Sequence, residues 1–249
     1  MRRALALAAL FYACGGGPTP EEQAKADQEL KVELAELLVD AKAHHNATRL
    51  LRQAMKRDPM DPRLHYLMGA VLRDRGVYPE AKRSLMVALK LDPKLAQAHS
   101  ALGMVHDLLG EHPEAQAAHR KAIELVGDEP KFHNNLGFSL YLAGQHEGAV
   151  DAYRQALRLD PDASRVYINL GFALAAQKKD HEALSMFRQV VPEAGALNNL
   201  ALAHELQGNP ASARRMYREA LMADPGLKQA LANLKALDQA PTDDPKEDP

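Results

Sequence analysis

An all-α fold of stacked helix hairpins is predicted by three features that recur along this 249-residue sequence. Glycines recur every 34 positions, at Gly69, Gly103, Gly137 and Gly171. Alanines keep the same spacing, at Ala81, Ala115, Ala149 and Ala183. Asp-Pro pairs mark the ends of repeats, at positions 58–59, 92–93, 160–161 and 224–225. A period of this length is typical of a solenoid in which each repeat is one helix pair.

Within one repeat, small and large residues at fixed positions explain how its two helices pack. The small residue in the first helix and the alanine in the second allow the two helices of a hairpin to approach closely. Large side chains such as Tyr153, Phe187 and Tyr217 fill the space between neighbouring hairpins. The closing proline cannot continue a helix, so it ends the unit.

The periodicity therefore predicts six hairpins and a short final helix. The first repeat is degenerate, and the segment "VVPEAG" shortens the second helix of the fifth. A terminal helix over 227–237 covers the last apolar face. Residues 238–249 are polar and proline-rich, which predicts a disordered acidic tail. The predicted repeats are 28–61, 62–95, 96–129, 130–163, 164–193 and 194–227.

This pattern resembles the tetratricopeptide repeat, in which two antiparallel helices stack into a right-handed superhelix. The resemblance covers residues 28–237. It implies the fold and leaves the biological role open, because one fold serves many functions.

The N-terminus, "MRRALALAALFYACGGG", predicts an export signal over residues 1–13. Two arginines precede a short apolar run that is too short to span a bilayer. The segment 11–14, Phe-Tyr-Ala-Cys, resembles the lipobox of bacterial lipoproteins, which implies a lipidated Cys14 as the new N-terminus. The alternative is an ordinary signal peptide with a chance cysteine. Gly15 in place of aspartate favours the periplasmic face of the outer membrane, with residues 14–27 as a flexible tether.

Composition argues against several function classes. The formal net charge of −2 gives no indication of a nucleic-acid surface. A single cysteine excludes an internal disulfide and any CxxC motif. No GxSxG, HExxH, P-loop or dinucleotide motif is present, so we expect a protein that works by binding, without a cofactor. His65, His99 and His133 recur at the repeat spacing, but equivalent residues of successive repeats lie too far apart to share one metal ion.

Asparagines recur on the face opposite the packing residues. Because a helix turns by about 100° per residue, Asn135 and Phe138 point away from the face that contains Gly137. An asparagine amide both donates and accepts, so a ladder of them could hold an extended peptide backbone. Alternatively, the asparagines bond to neighbouring helices and orient the repeats. The predicted partner-binding groove comprises Asn135, Phe138, Tyr141, Leu142, Asn169, Phe172, Asn199 and Leu202, with Leu206 beside it.

A more apolar strip in the early repeats is a competing partner site. The ladder is interrupted there, and the predicted strip comprises Val32, Val39, Tyr66 and Met104.

A short exported lipoprotein made of six such repeats resembles the pilotins of type IV pilus systems, the PilF/PilW family. That resemblance implies binding to subunits of the secretin PilQ and promotion of their assembly into the ring through which the pilus passes. The alternative is an adaptor lipoprotein that regulates an envelope protease or a cell-wall enzyme.

Overall fold

The computed structural model describes residues 19–239, and within them it contains thirteen α-helices and no strand. The prediction of an all-α fold with six hairpins and a final helix is confirmed. The chain divides into two compact units, one ending at Gly127 and the other beginning at Asp128. Each unit is described by itself below.

The first unit contains three hairpins. Their helices are α1 (Pro20–Asp40), α2 (His44–Arg57), α3 (Pro62–Asp74), α4 (Tyr78–Leu91), α5 (Ala96–Leu108) and α6 (His112–Leu125). In this unit the second helix of each hairpin contacts the first helix of the next, and α3 contacts both α1 and α5.

The second unit contains three hairpins and the final helix. Its helices are α7 (Pro130–Leu142), α8 (His146–Leu159), α9 (Ser164–Ala176), α10 (Asp180–Arg188), α11 (Glu193–Leu206), α12 (Pro210–Ala223) and α13 (Lys228–Gln239). One continuous apolar core runs through it from Leu140 to Ala230.

The first helix begins earlier than the predicted tether allows. Thr19 and Glu22 form a capping box, in which the Thr19 hydroxyl accepts from the Glu22 N–H at 3.3 Å and the Thr19 N–H donates to the Glu22 carboxylate at 2.8 Å. Pro20 follows at the first helical position, where its missing N–H is not needed. Residues 20–27 are therefore helical, and that part of the tether prediction is wrong. The final helix extends to Gln239, so the first two residues of the predicted tail 238–249 are helical and that part of the tail prediction is wrong. The predicted signal peptide, Cys14 and residues 240–249 lie outside the described residues.

The turn inside each hairpin requires a left-handed backbone. Gly76, Gly110, Gly144 and Gly208 have φ between 69° and 77°, a region that glycine adopts without steric cost. In the other two hairpins a lysine occupies this position, at Lys42 and Lys178. Both lysine side chains are exposed, and the left-handed conformation costs about 1–2 kcal/mol at a residue with a Cβ.

The fifth hairpin is closed differently, as "VVPEAG" predicts. Its second helix, α10, has nine residues, whereas the second helix of every other hairpin has fourteen. Pro192 precedes α11, and Arg188 at the end of α10 pairs with Glu193 through two contacts of 2.6 Å. The ion pair joins the two helices across the short connection.

In four of the six hairpins, a glycine of the first helix lies directly against a large buried side chain of the second. A Cβ placed on Gly137 would lie 2.7 Å from Cε1 of Tyr153, which is 1% exposed. We expect Gly137→Ala to destabilise the protein despite alanine's higher helix propensity, because overpacking costs about 1–3 kcal/mol and the gain in propensity is about 1 kcal/mol.

Gly148→Ala is the matched control for this prediction. Gly148 lies in α8, where an added Cβ would meet its nearest neighbour, Leu140, at 3.5 Å, an ordinary contact distance. We expect this change to stabilise the protein by about 0.5–1 kcal/mol. Urea denaturation followed by circular dichroism measures both effects. Equal signs for the two variants would contradict the close packing at Gly137.

Candidate partner-binding surface

The predicted groove lies on the first helices of the second unit. Helix α7 contacts α9, and α9 contacts α11, so equivalent positions of the three helices line one surface. All eight predicted groove residues belong to these helices and to this unit. The groove is therefore built from three consecutive hairpins.

The asparagines of this surface form a hydrogen-bonded chain between α7 and α9. Asn169 Nδ2 donates to Asn134 Oδ1 at 2.9 Å, and Asn134 Nδ2 is 3.4 Å from Asn135 Oδ1. Part of the asparagine pattern thus joins adjacent repeats, as the orienting interpretation predicts. Asn134, which was not among the predicted site residues, is the central member.

Further along the surface, one asparagine keeps its amide unused. Asn198 accepts from Asn233 of α13 at 3.4 Å, whereas the side chain of Asn199 forms no hydrogen bond with any residue between 19 and 239. Both atoms of the Asn199 amide are therefore available to a peptide backbone. The carbonyl oxygen of Asn169 is also without a hydrogen bond within the same range.

Apolar side chains surround the asparagines and are open to solvent. Phe138 is 45% exposed, Leu142 is 43% exposed and Leu206 is 67% exposed. Tyr141 is half-buried beside His146, with 5.4 Å between ring centroids, and burial raises the pKa of its phenol. Exposed apolar groups clustered on one surface are typical of a binding site.

Two predicted groove residues also support the core. Phe172 packs edge-on against the buried ring of Phe187, with centroids 5.3 Å apart and an interplanar angle of 70°. Leu202 is half-buried on α11. Phe172 and Leu202 therefore form a packed apolar base in the middle of the surface. The side chains of Phe138, Leu142 and Leu206 are more exposed to solvent.

The competing strip in the first unit is wrong for two of its four residues. Val32 and Val39 are buried in the core with Leu67, because this face of α1 packs against both α2 and α3. Tyr66 is half-buried, and burial raises the pKa of its phenol. Met104 is half-buried, with its sulfur 3.3 Å from Nη1 of Arg73.

A row of exposed apolar side chains in the first unit lies instead on the opposite face of α1. Leu30, Leu34 and Leu37 are 51%, 46% and 61% exposed, respectively. In the next repeat, Leu64 corresponds to Leu30 and Val71 corresponds to Leu37, and both are fully buried. In later repeats these positions pack on the preceding hairpin, whereas no hairpin precedes α1 within residues 19–239. The signal in the sequence was the leucine spacing at i, i+4 and i+7.

The periodic histidines have a local role. The Nε2 groups of His65 and His99 donate to the carbonyl oxygens of Pro59 and Pro93, at 2.7 and 2.9 Å. Each histidine thus ties the start of a first helix to the loop before it. Within residues 19–239 no group of three or more histidine, cysteine or acidic side chains is arranged to hold a metal ion. None of the described helices has the length and apolar character needed to cross a membrane.

Sequence profiles agree with this geometry. Family models described as tetratricopeptide repeat, or TPR repeat, match residues 96–120, 139–178, 165–192 and 194–227. The fold is that of a tetratricopeptide-repeat protein. Such repeats form scaffolds for protein interaction, and the groove of α7, α9 and α11 has the surface such a scaffold needs. Comparison with curated proteins gives no significant sequence match.

Solved tetratricopeptide-repeat structures share the fold at low sequence identity. PilW, a type IV pilus biogenesis factor, is 18% identical, with a TM-score of 0.68 over 83% of this chain and 98% of its own. PilF of Pseudomonas aeruginosa is 16% identical, with a TM-score of 0.64 over 84% of this chain and 97% of its own. YrrB, a TPR protein with an unusual peptide-binding site, is 23% identical, with a TM-score of 0.55 over 74% of this chain and 97% of its own.

Proposed function

We propose that this chain is an outer-membrane lipoprotein that binds subunits of the pilus secretin PilQ and promotes their assembly for type IV pilus biogenesis. The observation that carries the proposal is the six-hairpin architecture, which is similar to that of PilW and PilF over nearly the whole length of those two proteins. The length, the N-terminal segment and the alanine-rich composition also resemble those of the family member called Tgl.

The groove of the second unit is the proposed site for a secretin segment. The free amide of Asn199 can pair with an extended backbone, and each such bond contributes a net of about 0.5–1.5 kcal/mol. Phe138, Leu142 and Leu206 would bury apolar side chains of the segment. This combination favours a partially folded polypeptide with apolar side chains over a small molecule or a nucleic acid.

Attachment through Cys14 explains how binding would promote assembly. Acyl chains hold a protein at a bilayer, since each buried methylene contributes about 0.8 kcal/mol. A scaffold held at the outer membrane raises the local concentration of each bound subunit. Covering an apolar or strand-edge segment also prevents premature aggregation. Subunits leave the groove when they pair with one another.

The test measures the amount of PilQ multimer, and of PilQ that co-purifies with this chain, in cells that carry its variants. We expect Phe138→Glu combined with Leu142→Glu to reduce co-purified PilQ by at least about tenfold, because charges would enter an apolar contact. The amount of PilQ multimer in the cells should decrease as well. We expect Cys14→Ala to release the chain from membranes and to lower PilQ multimers while PilQ still co-purifies.

Leu159→Glu combined with Met222→Glu is the matched control. Both residues are exposed and apolar and belong to the same unit, but they lie near the ends of second helices, away from the groove. This control should retain PilQ. Normal PilQ multimers in cells that lack the chain would refute the proposal, and co-purification of an envelope protease or cell-wall hydrolase instead would favour the adaptor function.

A further inference from the structure

Helix α2 carries a strong local positive charge that the net charge of the chain conceals. Its sequence, "HHNATRLLRQAMKR", contains three arginines, one lysine and two histidines but no acidic residue. Arg49, Arg52 and Lys56 are exposed at intervals of three and four residues, so they share one face of the helix. The whole chain, in contrast, has a formal net charge of −2.

This face lines an open cleft of about 790 Å³ in the first unit. Arg75, in the turn after α3, lies across from α2 and adds a fourth cation. The remaining lining residues include Thr48 and Gln53, and every side chain that lines the cleft is polar or charged. The charged and ionisable lining residues are His44, His45, Arg49, Arg52, Lys56 and Arg75.

The four cations of the cleft have no acidic partners. Arg49, Arg52, Lys56 and Arg75 form no ion pair with any residue of the described range 19–239. Other cations of the same unit are paired, since Arg63 binds Glu29 at 2.7 Å and Lys82 binds Glu111 at 2.7 Å. Four unpaired cations around one cleft repel one another, and an anion between them would remove that repulsion.

The chemistry of the lining selects the kind of anion. Guanidinium groups match the oxygens of a phosphate through paired N–H donors, and lysine adds a point charge. Sites for uncharged small molecules are lined mostly by apolar and aromatic side chains, whereas the side chains here are polar or charged. A phosphate group carries up to two negative charges and three acceptor oxygens, so it can contact several of these cations at once, which a single carboxylate cannot.

We propose that the cleft between α2 and Arg75 is a binding site for phosphate groups. The phosphate comes either from the headgroup of an anionic lipid or from a soluble phosphorylated molecule. Both sources present the same oxygens to Arg49, Arg52, Lys56 and Arg75. This site belongs to the first unit and is independent of the proposed secretin groove, so either proposal can fail without the other.

The test uses the full chain carrying Cys14→Ala, so that no acyl chain contributes to binding. Co-sedimentation compares phosphatidylcholine vesicles with and without phosphatidylglycerol, and calorimetry measures binding of inorganic pyrophosphate. We expect binding to at least one phosphate probe. Changing Arg49, Arg52 and Lys56 together to Gln should weaken it about a hundredfold, because each cation near an anionic surface contributes about fivefold.

The matched control removes the same charge elsewhere. Arg218, Lys228 and Lys235 are exposed in the second unit and unpaired within residues 19–239, and their joint replacement by Gln should change binding by no more than about twofold. Binding to phosphatidylglycerol vesicles alone identifies a lipid headgroup, and binding to pyrophosphate identifies a soluble phosphate. Equal weakening in both triple variants, binding to neither phosphate probe, or binding only to polyglutamate would overturn the proposal.

Discussion

Phe187→Ala should lower the free energy of unfolding by about 3–5 kcal/mol, the usual cost of removing a buried aromatic ring. Phe187 is fully buried, and its ring lies against Gly171 of the preceding helix. Helix α10, which carries it, has only nine residues, so few other contacts hold the helix in place. The ring also packs against Phe172, so its removal should weaken the packing of Phe172 in the groove as well as the packing of the core.

Urea denaturation followed by circular dichroism measures this loss, with Phe138→Ala as the control. Phe138 is a residue of the same type in the same unit, but nearly half of it is exposed. Its replacement should cost less than about 1 kcal/mol. The two variants also separate stability from binding, because Phe138→Ala should weaken the proposed binding of PilQ in a chain that remains folded. Equal losses of stability in the two variants would contradict the burial described for Phe187.

Leu64→Ala should lower the free energy of unfolding by about 2–5 kcal/mol, whereas Leu30→Ala should change it by no more than about 0.5 kcal/mol. The two leucines occupy the same position of successive repeats, on α3 and α1. Leu64 is fully buried against the hairpin before it, and Leu30 is 51% exposed because no hairpin of the described range precedes it.

The pair is informative because the same residue type occupies the same repeat position in two packing environments. Leu30 lies in the middle of α1 and Leu64 in the first turn of α3, and leucine and alanine differ little in helix propensity, so the packing partner dominates the difference. The measurement is the same denaturation experiment, repeated at two protein concentrations. A loss at Leu30 as large as the loss at Leu64 would contradict the exposed face of α1.

Much of the fold follows from local chemistry that repeats along the chain. Gly137 and Ala149 must be small where the two helices of a hairpin touch, and Tyr153 must be large because its ring packs against Gly137, so a 34-residue period is visible without any structure. Pro192 likewise predicts where the fifth hairpin is shortened. The groove residues Phe138 and Leu142 could be predicted for the same reason, because they lie opposite the packing face of an amphipathic helix.

Other features depend on which helices pack against each other in the folded chain. Val32 and Leu30 are both apolar residues of α1, and only the packing of one face of α1 on α2 and α3 buries the first and leaves the second exposed. The bond between Asn169 and Asn134 joins residues from different hairpins, so the helical wheel of one helix could not predict it. Arg75 likewise meets the basic face of α2 only because the chain turns after α3.

The sequence by itself therefore determined the repeat, the hairpins and the face of each helix that packs, because these depend on the sizes of side chains within one period. Only the tertiary structure decided which apolar residues remain uncovered, which asparagine keeps a free amide and where unpaired cations gather. These depend on the neighbour that each face meets, and residues far apart in the chain supply that neighbour.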